Sequence, residues 1–355
     1  MTHFIKQGNS FRVSANQAMD LHETLPAGNY CVKQDPFENL FLEMIEPFEV
    51  SGKLYGDTIK HTDRILRTFA NRPAGTGVML NGEKGSGKSL LAKNIAVEAA
   101  KEGIPTIVIN APWCGDKFNS FIQAIEQPVV ILFDEFEKVY NAEQQTALLT
   151  LLDGVFPSKK LFVLTCNDKW RVDQHMRNRP GRIFYMIDFK GLTGEFIREY
   201  CEDKLDNKTY IDRLVQIAGT FDQFNFDMLK STVEEMNRYN ESPNEAMSIL
   251  NAKPEYGGAE SKFVVNLLVD GKEIAVADLG DHSQWKGNPL NGNIRLNYRE
   301  DDGDGDYDWN DVRFNPTDLK KIEGDGSKYV FANDKGDTVT LVKVKDKAMN
   351  YWNAF

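Results

Sequence analysis

Cysteine is scarce in this chain. Four of its 355 residues are Cys (Cys31, Cys114, Cys166 and Cys201), and no two form a C-x-x-C pair. This argues against a disulfide framework and a cysteine-based zinc site, and fits a reducing compartment. Long apolar runs are missing as well. No stretch reaches the length that spans a bilayer, and Met1-Thr2-His3-Phe4 does not open a signal peptide. The expectation is a soluble, cytoplasmic protein with no membrane partner. Positive charge is in deficit: 42 Lys and Arg against 53 Asp and Glu give a net charge of −11. Such a surface repels phosphate backbones as a whole, which disfavours a nucleic-acid partner but leaves a local basic channel open. An apolar fraction of 41% over 355 residues is enough for real cores, and the length suggests two or three domains.

Against these absences stands one dense stretch, Gly82-Glu83-Lys84-Gly85-Ser86-Gly87-Lys88-Ser89. It fits G-x-x-x-x-G-K-[ST], the phosphate-binding loop. Glycines let backbone N–H groups approach phosphate oxygens with no Cβ in the way. Lys88 supplies positive charge to the β and γ phosphates, and the Ser89 hydroxyl is a Mg²⁺ ligand in such loops. The flanks agree. Gly77–Asn81 reads as a short buried strand, and Ser89-Leu90-Leu91-Ala92 opens a helix whose N-terminus favours an anion.

A second motif follows at Val129-Val130-Ile131-Leu132-Phe133-Asp134-Glu135. Five apolar residues predict a buried strand, and two carboxylates sit where it emerges. In open α/β sheets ligands bind at the carboxyl ends of the strands. Asp134 is placed to hold Mg²⁺, and Glu135 to polarise an attacking water. Leu161–Asn167 predicts another buried strand ending in a polar amide, Asn167, able to orient the water or touch the γ-phosphate. In Arg177-Asn178-Arg179-Pro180-Gly181-Arg182, arginines fixed around a Pro-Gly turn can reach a phosphate in this subunit or the next. Surface salt bridges are the alternative use of such a loop.

Taken in order, GEKGSGKSLLAKNIA, ILFDEFEKV, TALLTLLDG, LTCN and NRPGRI resemble an AAA+ ATPase, close to the AAA clade itself, over roughly residues 50 to 240. FDEFEKVY, NRPGRIFY and VEEMNRY together are also similar to ATPases encoded by tailed bacteriophages. The resemblance implies ATP and Mg²⁺ as cofactors. Gly82 to Leu90 would hold the phosphates, Ser89 and Asp134 the metal, and Tyr55-Gly56 the adenine. Glu135 would be the catalytic carboxylate and Asn167 the sensor of the γ-phosphate. Arg179 and Arg182 would be fingers acting on the neighbour's ATP, which implies a homo-oligomeric ring, usually a hexamer. Trp113-Cys114-Gly115 falls where the family places a pore loop that grips a protein client. Core packing of Trp113, and stacking on nucleic-acid bases, remain open. One departure is visible: Phe224–Leu229 occupies the second sensor region and carries no arginine. This argues mildly against a DNA-loading role.

The expected fold class is α/β: a P-loop parallel sheet with a helical lid, a β-rich segment before it and an acidic β-rich domain after it. The expected boundaries are 1–50, 51–190, 191–251, a linker at 252–259, and 260–355. The first segment is a collar, a partner-binding patch or simple packing. The last domain carries 19 acidic and 13 basic residues from Glu255 onward. Asp270-Gly271 and Asn333-Asp334-Lys335-Gly336 predict hairpin turns. The run Asp301–Asp311 fails the EF-hand pattern and reads as a solvated acidic hairpin loop, with Ca²⁺ binding or docking of a basic partner as alternatives. The aromatic tail Met349–Phe355 closes the β domain or docks on a partner.

Overall fold

The structure is a computed structural model. It describes residues 2–7, 10–15, 22–153, 159–189, 191–221, 224–251, 261–290, 292–301, 307–324 and 326–344. The expected linker at 252–259, the centre of the acidic run at 302–306 and the aromatic tail lie outside these residues. The chain forms two compact units. One comprises Met1–Gly82 and Lys88–Asp188, the other Glu83–Gly87 and Phe189–Phe355.

The first unit opens with an antiparallel hairpin, β1 (Thr2–Gln7) and β2 (Ser10–Ala15). Then come β3 (Asn29–Gln34), β4 (Leu40–Ile45), α1 (Thr58–Asn71), β5 (Thr76–Gly82) and α2 (Lys88–Lys101). They are followed by β6 (Thr106–Ile109), α3 (Gly115–Gln123), β7 (Val129–Phe133), the single turn α4 (Phe136–Val139) and α5 (Ala142–Leu152). β8 (Lys160–Cys166), α6 (Gln174–Arg177) and β9 (Tyr185–Phe189) complete the module.

Seven of these strands form one sheet in the order β4-β3-β6-β7-β8-β5-β9. The pairs β3–β6, β6–β7, β7–β8 and β8–β5 are parallel. All five residues of β7 and all seven of β8 are buried, as a parallel strand covered on both faces requires. The order follows from that burial. The most apolar strands take the centre, and β4, which alternates half-buried and exposed residues, takes an edge. β3 and β4, expected in a segment ahead of the module, are hydrogen-bonded into the module's own sheet. β3 pairs with β6, and Tyr30 and Val32 enter the same core as Ile107 and Ile131. Edge pairing is decided by this tertiary contact and leaves no local mark on the sequence.

Two buried features fix the module. A Cβ on Gly77 would stand 1.9 Å from the Arg182 carbonyl oxygen, and the Phe184 N–H donates to the Gly77 carbonyl at 2.8 Å. Glycine at 77 thus lets the β5 backbone touch the arginine-bearing turn. At the same end of the sheet, where β8 starts, Lys160 is buried. Its ammonium donates to the carbonyl oxygens of Ile125 and, at 3.3 Å, Gln127. Burial pulls its pKa down to about 8. Between about pH 8 and the ordinary lysine value near 10.4, the unfolded chain holds a proton that the folded chain has lost. Stability therefore rises with pH across this window, by up to about 3 kcal/mol. Denaturant titrations of wild type and Lys160→Met from pH 7 to 10.5 check this. The difference between the two should change with pH in that sense; a constant difference would show that Lys160 is not the source.

In the second unit α7 (Gly194–Lys204), α8 (Ile211–Thr220), α9 (Phe226–Tyr239) and α10 (Pro243–Ile249) follow one another. Thr193, Asn225 and Ser242 cap α7, α9 and α10 through their side-chain oxygens. After them come β10 (Lys262–Val269), β11 (Lys272–Glu273), the short α11 (Val276–Leu279), β12 (Gln284–Lys286), β13 (Ile294–Asp301) and β14 (Tyr307–Phe314). β15 (Leu319–Glu323), β16 (Lys328–Ala332) and β17 (Thr338–Lys343) end the described fold. A sheet in the order β11-β10-β17-β16-β15, with β12 also on β10, and the separate hairpin β13-β14 share one apolar core. Both expected turns are present. Asp270 and Gly271 take positive φ between β10 and β11. Between β16 and β17, Asn333 accepts from the N–H groups of Lys335 and Asp337.

Candidate nucleotide site

β5, β8 and β7 are adjacent and parallel, so their carboxyl ends bring three sequence motifs together. Lys88 opens α2 just after β5. Its side chain is buried, and its ammonium donates to the Gly82 carbonyl oxygen at 2.6 Å. Burial lowers its pKa, while Glu137, Asp134 and Glu135 oppose that shift. Ser89 and Leu90 follow on an exposed stretch of α2.

Asp134 and Glu135 leave the end of β7, both exposed. Thr165 on β8 binds them together. Its hydroxyl donates to Asp134 Oδ1 at 2.6 Å and accepts the Glu135 backbone N–H at 2.9 Å. Glu135 adopts a left-handed backbone, φ 48° and ψ 45°, which turns the chain from β7 into α4. Such a conformation at a non-glycine residue costs about 1–3 kcal/mol and is characteristic of functional turns. The Glu135 carboxylate also takes an ion pair from Lys138 at 2.6 Å. Asn167 follows β8, and its backbone N–H donates to the Glu137 carboxylate at 2.9 Å. Sequence reasoning missed Thr165 and Glu137. A signal for Thr165 was there: it lies two residues before Asn167, hence on the same face of the extended chain.

The two expected finger arginines part company. Arg182 is buried. Its guanidinium forks onto Asp153, with Nη2 2.6 Å from Oδ2, and Nη1 donates to the His175 carbonyl at 2.9 Å. Hydrogen bonding to Arg182 holds the Asp153 carboxyl below its ordinary range. Arg179 is exposed and reaches Asp153 only at 3.8 Å. Trp113 is not displayed as an exposed ring. It is half-buried against the module's core, and its carbonyl accepts from the Tyr140 hydroxyl at 3.0 Å. Cys114 is the N-terminal flank of α3, and Gly115 its first residue at φ 82°. Tyr55 is buried, and Gly56 has φ 64°.

The middle of the phosphate-loop motif, Glu83–Gly87, groups with the second unit. There the Phe226 N–H donates to the Gly85 carbonyl at 3.0 Å, and the Asn225 amide to the Lys84 carbonyl at 3.3 Å. Gly85 and Gly87 have φ of 77° and 100°. A Cβ on Gly85 would lie 2.7 Å from Asp227 Oδ2, so both the turn and the close approach require glycine. The Ser86 hydroxyl is buried with no hydrogen-bond partner among the described residues. An orphan donor in a loop of left-handed glycines fits an anion such as phosphate. The oxygens of Ser89 and Asp134 are hard ligands of the kind Mg²⁺ takes when it keeps waters and binds through a nucleotide. Among the described residues no three His, Cys, Asp or Glu side chains cluster to hold a metal by themselves.

Sheet order, loop and acids together define a P-loop nucleotide-binding module. Residues 78–190 match the family model described as "ATPase family associated with various cellular activities (AAA)", so the chain carries an AAA ATPase domain there. It is similar to the "Peroxisomal ATPase PEX1" of Cricetulus griseus, 29% identical over 188 residues, which covers 46% of this chain and 14% of that protein. It is also similar to the "Proteasome-associated ATPase" of Nocardioides sp. (strain ATCC BAA-499 / JS614), 25% identical over 252 residues, or 59% of this chain and 43% of that one. The Homo sapiens "Peroxisomal ATPase PEX1" is 31% identical over 149 residues, 36% of this chain and 11% of its own length. The chain thus spans less than half the length of the curated relatives it matches. No helix among the described residues is long and apolar enough to cross a membrane.

Proposed function

We propose that this protein is a Mg²⁺-dependent ATPase of the cytoplasm that assembles into a ring, a hexamer, and spends ATP to remodel or unfold a protein client through a central pore. The observation that carries the ATPase reading is the Thr165 hydroxyl joined to both motif acids, on the strand that leads into Asn167. Ser89 and Asp134 would hold Mg²⁺, which supplies charge neutralisation at the phosphates. Lys88 exchanges its bond to the Gly82 carbonyl for a phosphate oxygen. Glu135 takes the proton of the attacking water, and Asn167 reads the γ-phosphate. Arg179, exposed and loosely held, reaches the neighbour's nucleotide, and Arg182 anchors the turn that presents it. Tyr55-Gly56 lies against adenine.

Similarity to a proteasome-associated ATPase supports a protein client. The charge of −11 weighs against the alternative, a nucleic-acid motor or loader in phage replication. The phage likeness itself rests on the motif combination alone. A nucleotide-gated assembly scaffold would cycle slowly and thread nothing. Gripping a client with Trp113 requires the ring to leave the packing described above, which makes Trp113→Ala the informative variant. A permanently unfolded polypeptide is expected to stimulate wild-type hydrolysis severalfold. Single-stranded DNA is not. Trp113→Ala should keep the basal rate and lose the stimulation. Stimulation by DNA alone would replace this reading with the nucleic-acid one. Stimulation that survives in Trp113→Ala would remove Trp113 from the grip.

A further inference from the structure

One buried carboxylate at the site has no task in the scheme above. Glu137 lies two residues beyond Glu135 on α4 and is 6% exposed. One of its oxygens accepts the Asn167 N–H at 2.9 Å. The other is buried with no hydrogen-bond partner among the described residues. A buried carboxylate is costly to keep, and half of this one's bonding capacity is unused. What Glu137 does hold is informative. β8 ends at Cys166, the last β8 residue paired with β5 (opposite Asn81), so the next N–H has left the ladder. Glu137 gives that N–H its acceptor at the residue expected to read the γ-phosphate.

We propose that Glu137 is a positioning residue for γ-phosphate recognition: its carboxylate fixes the Asn167 backbone, so that the Asn167 amide addresses the terminal phosphate. Glu137 acts through Asn167 and does not touch the nucleotide. The proposal rests on the ATPase reading, and its test separates the two. The other oxygen has no partner among the described residues, so Glu137→Gln keeps the acceptor for Asn167 and breaks no second bond among them, whereas Glu137→Ala removes the acceptor altogether.

Calorimetry on the full chain with Mg²⁺ measures binding of ADP and of the β,γ-imido analogue of ATP. Glu137→Ala is expected to weaken the triphosphate analogue by roughly 30-fold and ADP by less than about 3-fold, since a hydrogen bond to a charged group is lost and only the γ-phosphate reports it. Glu137→Gln should stay within about 3-fold of wild type for both ligands, because the bond is retained. In an Asn167→Ala background, Glu137→Ala should add no further loss. Should Glu137→Ala fail to fold, Glu137→Asp, whose carboxylate stops a methylene short of the Asn167 N–H, is expected to show the same selective loss. An unchanged triphosphate affinity, an equal loss for both ligands, or a glutamine variant as weak as alanine would each overturn the proposal. A wild-type chain that binds neither nucleotide would overturn the ATPase reading along with it.

Discussion

Arg179→Ala is expected to lower steady-state ATP hydrolysis by about 10³-fold or more while the protein still folds and still binds nucleotide. Arg182→Ala should behave differently and lose stability first. The contrast comes from their surroundings. Arg179 is exposed and lies 3.8 Å from Asp153, a distance worth little in solvent, so removing it disturbs no packing. Arg182 has an 8% exposed side chain, forks onto Asp153 and spends another donor on the His175 carbonyl. Deleting one partner of such a pair leaves an uncompensated charge and costs about 3 kcal/mol. Asp153→Ala should destabilise by a similar amount. The folded Asp153 pKa is depressed, so the pair's contribution is present above the unfolded carboxyl value and is lost as pH falls through the folded one. Thermal denaturation beside ATPase assays separates these effects. Equal activity losses with unchanged stability in both variants would return Arg182 to the role of a second finger.

Glu135→Gln should reduce hydrolysis by about 10²–10⁴-fold and leave nucleotide affinity nearly unchanged, because the amide fills the same space but accepts no proton. The structure supports the separation. The Glu135 backbone is held by Thr165 and turns into α4, and neither feature depends on the carboxylate charge. The ion pair with Lys138 that it weakens is half-exposed and worth less than about 1 kcal/mol. Equilibrium binding and single-turnover hydrolysis measured on the same preparation check it. A variant that hydrolyses at the wild-type rate would show that another group takes the proton from water.

The module was legible wherever one physical requirement left a local trace. β7 and β8 stand where continuous apolar runs placed them, because a strand covered on both faces has no polar alternation to blur its ends. Asp270-Gly271 makes the tight turn it announced. What stayed hidden depends on partners distant in sequence. Thr165 reaches Asp134 across 31 positions, and Arg182 finds Asp153 across 29. Neither threonine nor aspartate advertises such a partner locally. β9 beyond β5, and β3 beside β6, are pairings decided by which edges remain free once the central strands are buried. Trp113 illustrates the converse. The family likeness placed it in a pore loop and left core packing open, and the ring lies half-buried against the core, as a large apolar ring next to one favours.

In the proposed function ATP is hydrolysed between subunits, with Arg179 of one chain completing the site of the next. Mixing tests it most directly. Glu135→Gln and Arg179→Ala chains are assayed alone and together, with the rate per subunit followed against protein concentration and the mass by light scattering. Each variant should be nearly inactive alone. The mixture should regain activity, because an Arg179→Ala chain keeps Glu135 and a Glu135→Gln neighbour supplies the arginine. The wild-type rate per subunit should climb with concentration as the assembly forms. A flat wild-type rate, with no recovery on mixing, would mean that each chain works alone, and the ring and the pore would have to be abandoned.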